Sequence, residues 1–465
     1  MMNDSAPSLS RDASAPRSDG NRAARCATVG LLAAIVGAAR LAAASSPAPL
    51  RFDFGAGAVA PSYVAVRAAE SFTPDRGYGF DAGTVPQEFL ATGSDALRDD
   101  GVGGDQPFYF STAVPHEGNY RVTVTLGRPA AESSTTIKAE LRRLMVERVT
   151  TAKGEFVTRT FIVNTRTHHI AANHGIEAGV VKLKAPRETT QEAWAWDNLL
   201  TLEFNGAAPA VCALEIEPVD VPTVFLIGDS TVCDQSREPY NSWGQMLPRF
   251  FNADIAIANH AESGETYRDS IGRRRLDKII SVMQPGDWLF MQFGHNDQKQ
   301  IKAGTGGPFT TYEEEMRAHI AAVRQAGGIP VVVSPMERRG FDAAGHVVPS
   351  LGEYARASRE VAEKEGVAFI DLNAMSRTLY EAWGEEKSAA AFAAPQGRQD
   401  NTHHTNYGSY ELARCVVHGI RTAKLPLSKY LVSDLPDFDP AHPDPLETFD
   451  VPASPLVTNQ RPLGD

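Results

Sequence analysis

The sequence predicts an α/β fold with a doubly wound, parallel, five-stranded sheet, preceded by an all-β sandwich domain. Before Pro222, short alternating or β-branched runs are separated by turn clusters, which is typical of sandwich strands. After Pro222, five continuous apolar runs alternate with amphipathic stretches. That rhythm is typical of buried parallel strands that are connected by helices.

The all-β part extends over residues 50–221. Its runs of strand-forming residues are 108–112, 120–126, 156–163, 180–183 and 199–204. Residues 138–149 also fit a helix, but they end in a β-branched run, and their periodicity leaves both alternatives open.

The α/β part extends over residues 222–424. Its predicted strands are 223–227, 254–258, 288–292, 329–333 and 367–372, and its predicted helices are 242–251, 271–283, 312–325, 353–365, 373–383 and 406–423. Thr310 or Thr311 is placed to cap the third helix, and Gly327 and Gly366 are placed to end the third and fourth. In such a sheet, ligands bind beyond the carboxyl ends of the strands, so the loops there are the place to look for a site.

The two ends of the chain differ in composition from these parts. In residues 1–45, Arg22 and Arg25 precede an apolar run over 27–39 and then small residues, which indicates a signal peptide. The run is too short for the roughly 20 residues of a membrane span. A buried amphipathic helix is the alternative, but the run is apolar on all sides and has no caps. We therefore expect a secreted or periplasmic protein. Residues 425–465 form a Pro-rich tail.

Charge and cysteine content limit the possible functions. The 465 residues carry 45 Lys and Arg against 57 Asp and Glu, a net charge of −12. Such a charge opposes general attraction to nucleic acid or to anionic membranes. Removal of a leader that contains Cys26 leaves Cys212, Cys233 and Cys415, which permit at most one internal disulfide and exclude a Cys-rich metal site.

Three loops at predicted carboxyl ends of strands carry polar groups suited to acyl transfer. The first strand leads into Gly228, Asp229 and Ser230, which places a serine at the edge of the sheet. The second leads towards Gly264, whose backbone N–H is unobstructed, and the third to Asn296, whose side chain donates. A tetrahedral oxyanion near Ser230 requires such donors. Taken singly, each residue also fits an ordinary turn.

A fourth loop, directly before the final helix, supplies a base. Asp400 and His403 are three residues apart, so the carboxylate can bond one imidazole nitrogen while the other faces Ser230. His404 is the rival base, because residues four apart also meet on a helix. Alternatively, Asp400 caps the helix. The four loops together predict a serine hydrolase.

These motifs resemble the SGNH, or GDSL-type, hydrolase superfamily. The matching blocks are Gly228-Asp229-Ser230, the loop of Gly264, Gly294-His295-Asn296-Asp297 and Asp400-Asn401-Thr402-His403. Together with Ser263-Gly264-Glu265-Thr266, they resemble bacterial rhamnogalacturonan acetylesterases in particular. The segments 52–55 and 77–80 are similar to the galactose-binding-like β-sandwich that often precedes the catalytic domain. The resemblance implies a flavodoxin-like sheet for the SGNH domain.

The resemblance also implies a mechanism. His403, oriented by Asp400, removes the proton of Ser230 as Ser230 attacks an acetyl carbonyl; Ser230, Gly264 and Asn296 hold the oxyanion. The family needs neither a metal nor an organic cofactor. The implied substrate is an acetylated polysaccharide or oligosaccharide, most specifically rhamnogalacturonan. The alternatives are an exported SGNH esterase or lipase that acts on another acyl ester, such as acetylated xylan, and a non-catalytic glycan-binding protein.

The remaining expectations concern residues around this site. Recognition of an acidic polysaccharide by an acidic protein requires local arginines, such as Arg237, Arg338 and Arg339. We predict substrate contacts for Arg338, Arg339 and His295, although His295 fits support of Asn296 equally well. Asp229 is expected to order its own turn, Trp243 to lie in the core, and residues 273–275 to form a solvated face.

Overall fold

The structure, a computed structural model, describes residues 48–91, 93–299, 304 and 306–463. The predicted signal peptide at 1–45 lies outside the described residues. No helix in the part of the chain described is both long and apolar enough to cross a membrane.

The N-terminal part is a β-rich domain, as predicted. Its strands are β1 Leu50–Phe54, β2 Val64–Val66, β3 Tyr78–Gly83, β4 Gln87–Leu90, β5 Asp100–Gly103, β6 Phe108–Ala113, β7 Gly118–Gly127, β8 Ser133–Ala139, β9 Arg143–Thr151, β10 Phe156–Thr165, β11 His169–Ile170, β12 Gly179–Val180, β13 Leu199–Ala208, β14 Ala210–Val211 and β15 Ala213–Pro218. The main sheets have the orders β10-β7-β15-β1-β2 and β3-β6-β13-β8-β9. Alternate residues of β7, such as Val122 and Val124, are buried in a shared core with Phe54 and Phe110.

The strand register decides between helix and strand for residues 138–149 and gives the extent of the predicted strand 180–183. Residues 138–149 are not helical: β8 pairs with β9 antiparallel, and the turn between them contains Glu140 and Arg142 at positive φ. The predicted strand 180–183 is wrong in extent, because only Gly179 and Val180 pair, with Ile170 and His169.

Five parallel strands of the described chain form the second domain's sheet. They are β16 Thr223–Gly228, β17 Ala256–Asn259, β18 Trp288–Gln292, β19 Ile329–Val333 and β20 Ala368–Ile370. Their order is β17-β16-β18-β19-β20, and every neighbouring pair is parallel. This is the flavodoxin-like order, in which the direction of winding switches beside β16. Both the doubly wound sheet and its all-β neighbour are therefore confirmed.

Helices cover both faces of this sheet. They are α1 Trp243–Met246, α2 Tyr267–Gly272, α3 Arg275–Val282, α4 Glu313–Gln325, α5 Gly352–Glu365, α6 Leu372–Ser388 and α7 Asn406–Thr422. Gly366 ends α5 in the left-handed conformation, as predicted. The prediction that Thr310 or Thr311 caps α4 is wrong. A π-helical turn over Pro308–Tyr312 continues directly into α4, so both threonines lie within helical structure. The predicted helix 271–283 is broken: α2 ends at Gly272 and α3 begins at Arg275, because Arg274 between them has a φ of 63°.

The described residues from 48 to 463 form one compact unit, in which the two domains and the tail pack together. Lys138 of β8 donates to the carbonyl of Pro452 and to Ser454 Oγ, each over 2.7 Å. Arg142 donates to the carbonyls of Gln235 and Tyr240, which follow the end of β16. The β-rich domain therefore contacts both the tail and the loop that follows the first strand of the parallel sheet.

Candidate active site

Ser230 lies two residues beyond β16 and is 3% exposed. A Cβ on Gly228 would lie 2.5 Å from the carbonyl oxygen of Gln292, so the tight exit from the strand requires glycine. Asp229 orders this turn, as predicted: its Oδ1 accepts from the backbone N–H and the hydroxyl of Thr231, over 2.9 and 2.7 Å. The turn therefore holds Ser230 at the carboxyl end of the sheet.

His403 connects Ser230 to Asp400. Its Nε2 lies 2.9 Å from Ser230 Oγ, and its Nδ1 lies 3.0 Å from Asp400 Oδ2. Oδ1 of Asp400 accepts the backbone N–H groups of Thr402 and His403, over 2.8 and 3.0 Å. These bonds lock the carboxylate against the ring. The first contact gives the Ser230 proton a direct path to Nε2, and the second orients the imidazole ring.

Electrostatics fix the direction of that path. Burial opposes ionisation of Asp400, but the hydrogen bond, the charge and the backbone N–H of His403 lower its pKa to about 2. An ionised carboxylate only accepts, so Nδ1 of His403 donates to it and Nε2 is left to accept the Ser230 proton. Arg461 Nε lies 3.6 Å from the same Asp400 oxygen and adds a further cation.

His404, the rival base, has a different environment. Its Nε2 lies 2.8 Å from the hydroxyl of Tyr380, and its ring packs against Phe392 with centroids 4.2 Å apart. Burial lowers the pKa of His404 to about 3, so the ring is neutral at ordinary pH. The structure therefore brings His403, and not His404, to the serine.

The loops of Gly264 and Asn296 meet beside Ser230. The Glu262 N–H donates to the Gly228 carbonyl at the end of β16 over 3.1 Å, and Asn296 Nδ2 donates to the Glu265 carbonyl over 3.1 Å. Gly264 has a φ of 73°, in the region that favours glycine, and it is half-buried between buried neighbours. The three residues predicted for an oxyanion site thus lie on loops that are hydrogen-bonded to one another.

Gln235 connects the loop of Ser230, which we call the serine loop, to the loop of Gly264, which we call the glycine loop. Its Nε2 donates to the Ser230 carbonyl over 2.7 Å and lies 3.4 Å from Ser263 Oγ. Cys233 Sγ is also 3.4 Å from Ser263 Oγ. Cys233, Cys212 and Cys415 are buried free thiols.

Residues 184–192 of the β-rich domain, which we call the clamp segment, also contact the glycine loop. Lys184 Nζ lies 2.6 Å from Glu265 Oε1 and also donates to the Ser263 carbonyl. Arg187 Nε donates to Glu262 Oε1 over 3.0 Å. Burial raises the pKa of Glu265, and the nearby charges of Arg275 and Lys184 oppose that effect. The conformation of the glycine loop therefore depends on the other domain.

Comparison with known proteins agrees with this geometry. Residues 226–408 match the GDSL-like Lipase/Acylhydrolase family, and residues 50–160 match the galactose-binding domain-like part of β-agarase/YXIM esterase-like proteins. Rhamnogalacturonan acetylesterase RhgT of Bacillus subtilis is 38% identical over 221 residues, which cover 45% of this chain and 94% of RhgT. The chain belongs to the GDSL-like lipase/acylhydrolase family. It is an esterase, with a galactose-binding-like domain ahead of the catalytic one.

A second relative of this GDSL-like hydrolase matches over both domains. The uncharacterized esterase YxiM of Bacillus subtilis is 28% identical over 395 residues, which cover 81% of this chain and 92% of YxiM. The crystal structure of YxiM aligns with a TM-score of 0.43 at 25% identity, over 82% of this chain and 99% of that one.

The predicted substrate-binding residues of the GDSL-like hydrolase all have partners within the protein. His295 is 2% exposed, and its Nδ1 lies 3.3 Å from Asp229 Oδ2. Arg338 donates to the carbonyl of His295 and to the side chains of Gln298 and Thr402, over 3.2, 2.8 and 3.3 Å. Arg338 thereby connects the loop of Asn296 to the loop of His403. Arg339 Nε donates to Ser388 Oγ over 3.1 Å. Contact of these three residues with substrate stays a prediction.

Residues 273–275 are not a solvated face throughout, which corrects one expectation. Arg275 is 1% exposed, and its Nη2 lies 2.6 Å from Glu188 Oε2 of the clamp segment. The break at Arg274 turns this arginine inward. Trp243 is 1% exposed, as expected for a core residue, and its Nε1 donates to Gln292 Oε1 over 2.7 Å.

Several contacts around the site had no motif to reveal them. They involve Lys184, Arg187 and Glu188 of the clamp segment, Gln235 after the nucleophile, and Arg461 in the tail. Among the residues that the structure describes, no group of three or more His, Cys, Asp or Glu side chains is placed to hold a metal ion.

Proposed function

We propose that this esterase removes O-acetyl groups from a plant cell-wall polysaccharide, rhamnogalacturonan in particular, through an acyl-enzyme on Ser230. The observation that carries the proposal is the continuous contact of Ser230 Oγ, the His403 ring and Asp400 Oδ2, at 2.9 and 3.0 Å. Such an arrangement activates a serine for attack on an ester carbonyl.

The proton path follows from the roles of the two ring nitrogens. As Ser230 Oγ attacks the acetyl carbonyl, its proton passes to Nε2 of His403, and Asp400 stabilises the resulting imidazolium. The imidazolium then gives that proton to the departing sugar oxygen, which leaves an acetyl-serine. Water, deprotonated by the same Nε2, attacks this ester and releases acetate and the free serine.

Charge on the carbonyl oxygen in the tetrahedral state requires donors. The N–H groups of Ser230 and Gly264 and the side-chain amide of Asn296 are the donors that we propose, because their loops are bonded to each other beside the nucleophile. Removal of one such donor typically lowers kcat by about a hundred- to a thousandfold.

Rhamnogalacturonan is the substrate we propose because RhgT, which bears that activity in its name, is 38% identical and is covered over 94% of its length. The test is acetate release by the whole protein from acetylated rhamnogalacturonan, acetylated homogalacturonan and acetylated xylan. We expect the highest kcat/KM on rhamnogalacturonan, and a loss of release with Ser230→Ala. The exposed Ser433 provides a matched control, Ser433→Ala.

Three outcomes would count against the proposal. Faster release from xylan would favour the alternative substrate. Acetate release that persists in Ser230→Ala would overturn the nucleophile, provided that circular dichroism shows an intact fold. Hydrolysis of long-chain aryl esters without release from any polysaccharide would indicate an esterase or lipase of another kind.

A further inference from the structure

A basic cavity lies beside the catalytic residues. The clamp segment, the serine loop and the C-terminal tail meet there. Its volume is about 280 Å³, and Lys184, Arg187, Arg237 and Arg461 line it. Among the described residues of its wall there is no Asp or Glu. We propose that this cavity is a subsite for the carboxylate of a uronic acid unit in the substrate chain, with Arg237 as its ligand. The proposal rests on the proposed function and assigns it a recognition element.

The charges of the wall are compensated unequally. Lys184 is paired with Glu265, and Arg187 with Glu262 and Glu192; none of these three carboxylates lines the cavity. The Arg237 guanidinium has neither a hydrogen-bond nor an ion-pair partner among the residues that the structure describes. In a protein of net charge −12, an uncompensated arginine in a cavity wall attracts an anion locally. Its planar fork binds a carboxylate through two parallel hydrogen bonds.

The cavity adjoins the catalytic residues through its other lining groups. The ring of Tyr240 lies edge-on to His403, with centroids 5.8 Å apart, and Gln235 donates to the Ser230 carbonyl over 2.7 Å. Arg461 lies 3.6 Å from Asp400. A sugar unit whose carboxylate is bound here therefore neighbours the unit whose acetyl group reaches Ser230.

Three separate parts of the chain build this subsite. Lys184 and Arg187 come from the β-rich domain, Arg237 from the loop after the nucleophile, and Arg461 from the tail. The N-terminal domain thus forms part of the substrate cleft. Its role here is to complete the wall of the subsite next to the reacting acetyl group.

The first test needs no variant. Acetate release by the whole protein is measured on acetylated rhamnogalacturonan oligosaccharides and on the same oligosaccharides after methyl esterification of their uronates, which removes the negative charge. We expect kcat/KM to fall by about tenfold or more on the esterified form, mainly through KM, because a charge-assisted pair is lost. Equal kcat/KM on the two forms would overturn the subsite.

The second test assigns the effect to one residue. Arg237→Gln is expected to abolish the preference for the charged form, and Arg237→Lys to retain part of it, since a lysine keeps the charge but not the fork. The exposed Arg356, which lies in α5, provides the matched control Arg356→Gln. A preference that survives in Arg237→Gln would contradict the assignment.

A binding measurement separates this inference from the proposed function. Galacturonate oligosaccharides are titrated calorimetrically into Ser230→Ala and into Ser230→Ala/Arg237→Gln. We expect Kd to rise by about tenfold or more in the double variant. If the protein released no acetate from any polysaccharide but this rise were observed, the proposed function would fail and the subsite would stand. If acetate were released but Kd did not change, the subsite alone would fail.

Discussion

Lys184 Nζ lies 2.6 Å from Glu265 Oε1, and this contact joins the galactose-binding-like domain to the loop that carries Gly264. Lys184 also donates to the Ser263 carbonyl in the same loop. Since Glu265 is fully buried, its carboxylate depends on the cations around it. The position of a predicted oxyanion donor is thereby set partly from outside the catalytic domain.

Lys184→Met is expected to lower kcat on an aryl acetate by about tenfold, with a small change in KM. A tenfold loss corresponds to about 1.4 kcal/mol of transition-state stabilisation. That is less than the loss of a whole oxyanion donor, as expected when one donor is slightly misplaced. Lys184→Arg should recover part of the loss. Steady-state kinetics provide the measurement, and Lys182→Met, at an exposed position two residues away, is the control. A change confined to KM would instead indicate substrate contact.

Asn296→Asp is expected to lower kcat by about a hundredfold or more while KM changes little. The substitution is nearly isosteric, but it replaces the donating NH₂ group with an acceptor, which repels a developing oxyanion. The bond to the Glu265 carbonyl is lost as well. Kinetics on an aryl acetate, together with circular dichroism, test this expectation. Wild-type kcat in Asn296→Asp would remove Asn296 from the proposed set of donors.

The two adjacent histidines should respond differently to substitution. His403→Ala is expected to lower kcat by about a thousandfold or more, because the base is lost. His404→Ala should lower kcat by less than about tenfold but destabilise the fold by about 1–3 kcal/mol, since the buried Tyr380 hydroxyl loses its partner. Initial rates and urea unfolding distinguish the two. The opposite pattern would make His404 the base.

Asp400 should contribute stability that depends on pH. Its pKa in the folded protein is about 2, below the ordinary 3.8, so the ionised form stabilises the fold above about pH 4. That contribution, about 2 kcal/mol, is lost as the pH falls towards 2. The difference in unfolding free energy between the wild type and Asp400→Asn should therefore shrink over this interval in urea titrations. A difference that is constant with pH would contradict the shifted pKa.

The buried pair of Arg275 and Glu188 should matter for stability far more than a surface pair. Arg275→Met leaves Glu188 buried without its bidentate partner, and such losses cost about 3–5 kcal/mol. Arg268→Met breaks the more exposed pair with Glu315 and should cost less than about 1 kcal/mol. Denaturant unfolding of both variants provides the comparison. If both variants lost similar amounts of unfolding free energy, the buried pair would contribute no more to stability than the exposed pair.

The sheet and its catalytic loops were predictable because their signals are local. Apolar runs such as Trp288–Gln292 and Ile329–Val333 coincide with strands, since a strand that is buried on both faces must be continuously apolar. Ser230, Asn296 and Asp400 follow strands or precede a helix, so topology alone brings their loops to one edge.

The contacts between the domains were not predictable, because they join residues that are distant in sequence. Arg275 lies among charged neighbours and resembles a surface residue until Glu188, 87 positions earlier, is packed against it. The break at Arg274 is equally hidden, since an arginine carries no preference for the left-handed conformation. Such features arise from tertiary packing, which overrides local propensity.

The buried thiol of Cys233, 3.4 Å from Ser263 Oγ, provides an internal reporter for these loops. Burial raises its pKa well above the usual range, so the thiol is unreactive in the closed state. A thiol reagent can modify it only during transient local opening. In a protein with Cys26, Cys212 and Cys415 replaced by alanine, the labelling rate of Cys233 would therefore measure the free energy of opening between the serine loop and the glycine loop.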